Sequence, residues 1–229
     1  INRNKKVYFK YKNENNRLDN KNLKKLSSKI YDIINNIKNS KGIIFIYSQY
    51  ISSGIIPLAL SLEEAGYSKY DGNILNSDKK GDLVDYEGNH REGDKPFIKG
   101  NYVILCGDKR LSPNNSEMIN ILKSDDNING EKIKIIIGSE VTSEGLDFKR
   151  IREIHILEPW YNLNRLEQII GRGIRYCSHI DLPKEERNVC VYLHCGYIDK
   201  DKECIDESIY KLAEKKALNI GIIERLLKI

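Results

Sequence analysis

Apolar positions along the chain follow two patterns. Short continuous runs rich in β-branched residues stand at "GIIFIYS" (42–48), "YVILCG" (102–107), "KIKIIIG" (132–138), "EIHIL" (153–157) and "NVCVYLHC" (188–195). Each predicts a strand buried on both faces. Elsewhere the period lengthens. Leu23, Leu26, Ile30, Ile33, Ile34 and Ile37 recur at amphipathic-helix spacing. Further helices are predicted over "GIIPLALSLEEAGY" (54–67), "NNSEMINILKS" (114–124), "NLNRLEQIIGRGIR" (162–175) and "DESIYKLAEKKALNIGIIERLLK" (206–228), the last with an expected break at Gly221. Strands alternating with helices predict an α/β fold, a parallel sheet with helices on both faces. In such sheets function collects at the carboxyl ends of the strands. The loops to inspect are therefore 47–53, 107–113, 138–150 and 158–162.

The pattern divides the chain into a helical lead-in (1–41), a sheet domain (42–200) and a C-terminal helical extension (201–229). Within the sheet domain, residues 70–100 are rich in Gly, Asp, Asn and Lys and predict a long loop or hairpin insertion.

Charge sharpens this division. The chain of 229 residues carries a net +5, yet its first 41 residues hold twelve Lys/Arg against three Asp/Glu. The lead-in is thus +9 and the remainder −4. A basic end of this kind is either a solvated helix face or a contact for nucleic acid. No apolar run reaches bilayer length, and no signal peptide is evident. Five cysteines without framework spacing suit a reducing compartment. The start at Ile1 rather than Met is expected of a piece of a longer protein. The wealth of Asn, Ile and Lys fits an A/T-rich genome.

Two stretches carry candidate chemistry. In "IIIGSEVTSEGLDF" (135–148) a strand runs into small hydroxyl residues, a glycine and an aspartate. Ser139, Thr142 and Ser143 can donate to phosphate oxygens, Gly145 permits close backbone approach, and Asp147 can accept from a sugar hydroxyl. Taken alone, small polar residues after a strand are usually just a loop with a helix cap. Downstream, "EQIIGRGIRYCSH" (167–179) sets Gln168, Arg172 and Arg175 four and three residues apart, so that they can share a helix face. Two guanidinium groups so close need an anion. Gly171 and Gly173 each cost a helix about 1 kcal/mol relative to Ala, which a merely solvated face does not require.

The order of these motifs resembles superfamily-2 helicases and translocases. Gln-x-x-Gly-Arg-x-x-Arg resembles motif VI, "SEVTSEGLD" resembles motif V, and "IIFIYSQ" resembles the strand of motif IV with Ser48 at its hydroxyl position. The stretch 152–179 is most similar to the transcription ATPases of large DNA viruses, the poxvirus-type early transcription factor small subunit among them. The resemblance spans roughly residues 42–195. It implies the second RecA-like lobe of a two-lobed motor. ATP and Mg²⁺ would then be held mainly by a first lobe in the same polypeptide, and nucleic acid, DNA ahead of RNA, would be the track. It also implies arginine fingers at Arg172 and Arg175, positioned with Gln168, and nucleotide contacts from Gly145 and Asp147. Ser48, Ser139 and Thr142 would hold the nucleic-acid backbone. Transcription machinery is a further implied partner, with a location inside the cell or virion. Glu144 departs from the pattern, because many family members carry Arg there; a carboxylate facing a phosphate would repel it.

No G-x-x-x-x-G-K-[ST] stretch and no Asp-Glu pair after a strand occur in the sequence, so the phosphate loop and metal-binding acids are expected elsewhere. A competing reading is a non-catalytic RecA-like lobe kept as a scaffold or partner-binding module. A small-molecule Rossmann enzyme is disfavoured, since no G-x-G-x-x-G follows the first strand. Cys177, His179, Cys190, His194 and Cys195 match no common zinc spacing, and buried free cysteines are expected at Cys190 and Cys195. Trp160 is expected to pack under the motif VI helix rather than stack on a base.

Overall fold

The computed structural model describes residues 6–13, 15, 17–77, 81–93, 95–140, 147–199 and 202–227. Six strands form one parallel sheet: β1 (Ile43–Tyr47), β2 (Ser68–Lys69), β3 (Asn101–Leu105), β4 (Ile135–Gly138), β5 (Ile151–Ile156) and β6 (Cys190–Leu193), in the order β2-β3-β4-β1-β5-β6. The five predicted runs are all strands, and β2 is an addition. Two residues are too few to leave a periodic signal.

The continuous apolar runs are explained by burial on both faces. On one face Ile44, Ile46, Ile104, Ile135 and Ile137 pack against helices α1 (Asn20–Leu26), α2 (Ser28–Asn39) and α3 (Ile56–Glu64). On the other, Ile43, Phe45, Val103, Leu105, Ile136 and Ile154 pack against α4 (Asn115–Lys123) and α5 (Leu163–Gly173). Each fully buried isoleucine contributes roughly 1.5–3 kcal/mol of transfer free energy. A 23-residue helix, α6 (Ile205–Leu227), continues unbroken through Gly221. Of its described residues only Ala213 is buried.

The helix expected from the lead-in is two helices. Ser27 ends α1 through its N–H to Leu23 O and caps α2 by accepting from Ile30 N–H. Leu23, Ile30, Ile33, Ile34 and Ile37 are buried in the first core cluster, so this segment is part of the lobe rather than an appendage.

The 70–100 insertion has little regular structure but is firmly attached. The Glu63 carboxylate, buried at the end of α3, accepts from Ile74 N–H (2.8 Å), Leu75 N–H (2.9 Å) and the Tyr102 hydroxyl (2.7 Å). Arg17 binds the neighbouring Glu64 with two hydrogen bonds, at 3.2 and 2.6 Å.

β5 and β6 are joined by more than their ladder. His155 Nδ1 lies 3.0 Å from His194 Nε2, and His155 Nε2 lies 3.2 Å from a Glu153 carboxylate oxygen. One nitrogen of the histidine pair must donate and the other accept, and His155 Nε2 can donate to Glu153. Tyr192 stacks on His155, with centroids 4.7 Å apart. Burial, helped by His155 and Lys29, lowers His194 to about 4. A histidine whose folded pKa is depressed binds protons preferentially when unfolded. Its stabilising contribution is complete above about 6.5 and is lost as the pH falls toward 4. The loss should approach roughly 3 kcal/mol. Urea unfolding at pH 7 and at about pH 4.5 should show it, and His194→Gln should flatten the dependence; an unchanged profile in that variant would refute the assignment.

Candidate nucleotide and nucleic-acid site

The carboxyl ends of β1, β4 and β5, together with α5, gather most of the residues singled out from sequence. α5 ends at Gly173, two residues earlier than expected, with Ile174 at φ −119°, ψ 75°. The reason is packing. A Cβ on Gly173 would lie 3.0 Å from Ile154 Cδ1 and 3.2 Å from Ile151 Cβ, so glycine lets the helix end sit on β5. Nothing stands within 4 Å of a Cβ at Gly171, so close approach accounts for one glycine of the two.

Arg172 therefore stands in the last turn of α5 and Arg175 in the turn after it. They do not share a helix face, yet they converge. Arg175 Nη1 lies 2.6 Å from Asp147 Oδ1, and Arg172 Nη1 lies 3.8 Å from the same oxygen. The Phe148 N–H donates to Arg172 O at 3.1 Å, which ties the segment carrying Asp147 to the end of α5. The turn carrying Arg175 is fastened too. Its N–H donates to Ser178 Oγ, Ser178 Oγ pairs with His179 Nδ1 at 2.8 Å, and His179 Nε2 reaches Ile151 O at 2.6 Å. Arg172 is 16% exposed, whereas Arg175 and Asp147 are each 47% exposed. The anion that the two guanidinium groups need is thus present within the chain. Asp147, expected at a ribose, is their counter-ion here.

Gln168 is exposed one turn before Arg172 and lines a different space, a cavity of about 440 Å³ between α5 and α6 shared with Glu140, Trp160, Arg165, Lys216 and Ile220. Arg165 organises that corner. It stacks over the Trp160 ring at 4.2 Å and donates to the Tyr47 hydroxyl and to Glu140, each at 3.1 Å. Trp160 packs against the second core cluster, as expected.

The two described hydroxyl residues sit deeper than a surface contact needs. Ser48 is 0% exposed and Ser139 is buried. The Ser48 hydroxyl donates to Glu158 at 2.8 Å and accepts from Tyr50 N–H at 3.2 Å, and the Gln49 N–H donates to the second Glu158 oxygen at 3.2 Å. Burial pushes the Glu158 carboxyl above its ordinary range, while Ser48 and Gln49 pull it back. A Cβ on Gly54 would fall 1.9 Å from Ser48 Oγ, so only glycine closes this turn. Ser48 therefore shapes the loop after β1 and leaves Tyr50, 52% exposed, at the surface. Sequence reading missed Glu158, whose partners lie 110 and 109 residues away. Thr142 and Gly145, with Ser143 and Glu144, lie outside the described residues.

Among the described residues no three His, Cys, Asp or Glu side chains are grouped to hold a metal ion. Cys177 and Cys190 are exposed and Cys195 is half-buried, so the expectation of buried cysteines in the last strand fails. β6 is an edge strand, and Cys190 faces solvent.

The all-parallel sheet covered by helices on both faces is a RecA-like α/β fold. The chain belongs to the helicase conserved C-terminal domain family, whose model matches residues 25–177. It is 31% identical over 230 residues to a protein of Acanthamoeba polyphaga mimivirus named as a candidate ATP-dependent RNA helicase, L377, covering 90% of this chain and 20% of that protein. It is also 31% identical over 223 residues to a termination factor NPH-I homolog of African swine fever virus (isolate Pig/Kenya/KEN-50/1950), covering 84% of this chain and 31% of the relative. The chain thus spans a fifth to a third of these relatives. The crystal structure of the C-terminal part of the Fun30 ATPase domain shares the fold, with a TM-score of 0.51 at 15% identity over 80% of this chain and 45% of the other. Among the described residues, no helix is long and apolar enough to cross a membrane.

Proposed function

We propose that this lobe is the second motor lobe of an ATP-dependent superfamily-2 helicase or translocase serving viral-type transcription, and that Arg172 and Arg175 are its arginine fingers. The carrying observation is the convergence of both guanidinium groups on one carboxylate at the carboxyl end of the sheet. A pair held around Asp147 Oδ1 is held where a phosphate oxygen can replace that carboxylate. Guanidinium forks suit this exchange because they bind carboxylate and phosphate with the same geometry. ATP is the substrate, and its phosphate charge fits this pair. Mg²⁺ and the phosphate loop fall to a first lobe, since this sequence carries no G-x-x-x-x-G-K-[ST] stretch. Asp147 then exchanges between the arginines and the sugar side of the nucleotide. Gln168, one turn back on α5, steadies the helix from the side of α6.

Grip on a nucleic-acid strand is assigned to the loops after β1 and β4. Ser48 acts by fixing the loop that leaves Tyr50 at the surface; Ser139 and Thr142 are assigned to the nucleic-acid backbone, and Gly145 with Asp147 to the nucleotide. Contact of this kind is mostly to phosphates, hence tolerant of sequence and weakened by salt. The mimivirus relative is named for RNA and the swine fever relative for termination, so both DNA and RNA are to be tried. The alternative, a retained scaffold lobe in which the ion pair is only a brace, predicts no hydrolysis in the joined protein.

The test compares this chain alone with a polypeptide joining it to its first lobe. Mg²⁺-ATP hydrolysis is expected only in the joined protein, stimulated by single strands of unrelated sequence and decreasingly so as salt rises. Turnover by the chain alone, or a joined protein silent with every strand, would reject the reading.

A further inference from the structure

A second cavity, of about 480 Å³, lies at the opposite end of the sheet, near the amino ends of β1, β4 and β5. Its charged lining is Lys38, Lys41, Lys134 and Arg152 against Glu87 and Glu186. One wall comes from the insertion, through Tyr86, Glu87 and Asn89, and another from the end of α2. Lys134 is the unusual member. It is 1% exposed, and its ammonium donates to Ser40 O at 2.8 Å. An ammonium carries three donors, and burying one is costly unless an anion or several acceptors surround it. Burial lowers Lys134 to about 8, with Glu153, Glu87 and Asp85 pulling upward and Arg152 downward. Arg152 is already held, by Glu186 at 3.2 Å and Asn188 at 2.8 Å. Lys38, Lys41 and Lys134 are left as the cationic surface of a cavity large enough for a small molecule.

We propose that this cavity binds a small phosphate-bearing anion, of the pyrophosphate or nucleotide class, at a site separate from the arginine pair. Three observations fit that class. The lining has an excess of two positive charges. Its deepest cation is an ammonium, which binds phosphate as a point charge. The rest is amide and aromatic, from Asn39, Asn89, Asn129 and Tyr86, which suits the polar edge and ring of a nucleotide. The site also gives the 70–100 insertion a role, because without it the cavity has no outer wall. A free diphosphate and the phosphorylated end of a strand share this chemistry, so the two are tested apart.

Titrate pyrophosphate calorimetrically into the 229-residue chain near pH 8, in two buffers of different ionisation heat. Binding should be accompanied by proton uptake, because the anion restores the proton on Lys134. Lys134→Met should abolish both the binding and the uptake. The paired surface changes Lys38→Ala and Lys41→Ala, which leave the core untouched, should weaken binding about tenfold or more. Arg175→Ala, at the other end of the sheet, should leave it unchanged. A trinucleotide with a 5′-phosphate that displaces pyrophosphate, where its 5′-hydroxyl twin does not, would assign the natural phosphate to a strand end; failure of both would assign it to a free diphosphate. No heat at millimolar pyrophosphate, or an affinity lost with Arg175→Ala and kept with the paired lysine change, would overturn the proposal. Either result leaves the motor reading intact, since that reading depends on hydrolysis in the joined protein.

Discussion

Arg175→Ala, made in the polypeptide that joins this lobe to its first lobe, is expected to lower kcat by about 10³-fold or more. On the proposed reading, a finger here would neutralise charge that develops on the transferred phosphoryl oxygens, so its loss would be felt at the transition state more than in nucleotide binding. Arg172→Ala should do the same, with some added loss of stability, because its side chain is more enclosed (16% against 47% exposed). Lysine should rescue poorly at either position, because an ammonium cannot span two oxygens as the planar fork does. Measure kcat, nucleotide affinity and melting temperature together. A near-normal kcat in a stable protein would remove the finger assignment. A collapse of melting temperature in Arg175→Ala would recast the pair as a brace for the loop carrying Asp147.

The largest effect on stability should come from a residue far from that site. Glu63→Ala leaves two buried backbone N–H groups, of Ile74 and Leu75, and the Tyr102 hydroxyl without their acceptor. Each orphaned group costs about 1–3 kcal/mol, and the three together should cost about 4 kcal/mol. For a domain of this size that corresponds to a fall of roughly 10 °C in melting temperature. Glu63→Gln keeps an acceptor oxygen but turns an amide donor toward a donor, so it should recover only part of the loss. Hydrogen exchange should show the effect concentrated in residues 74–100. Uniform loosening across the lobe, or a drop of only a degree or two, would count against Glu63 as the anchor of the insertion.

The fold was legible because its strands are buried on both faces. Ile43 to Tyr47 alternate between two helical layers, so every position had to be apolar, and a continuous run was left to read. Local chemistry escaped where its cause lay far along the chain. Nothing near Gly221 shows that the helix passes through it, but an exposed glycine costs a long helix only about 1 kcal/mol. The early end of α5 depends on Gly173 meeting Ile151 and Ile154. Ser48 was legible as a hydroxyl after a strand, while its burial follows from Glu158, at the far end of another strand. The spacing of Arg172 and Arg175 suggested a shared helix face, which the early end of α5 removes; they meet instead through the turn beyond it. That Asp147 meets both could not be read from either motif, because the aspartate and the arginines are far apart in sequence and no local periodicity links them.

The Asp147 contact has a kinetic meaning for the proposed cycle. A carboxylate tethered beside two guanidinium groups is present at a high effective concentration, as any linked second ligand is. Stray anions must displace it to reach the arginines, and a departing phosphate finds a replacement already in place. On that reading the chain carries its own competitive ligand, which would set the lobe to exchange anions rather than accumulate them.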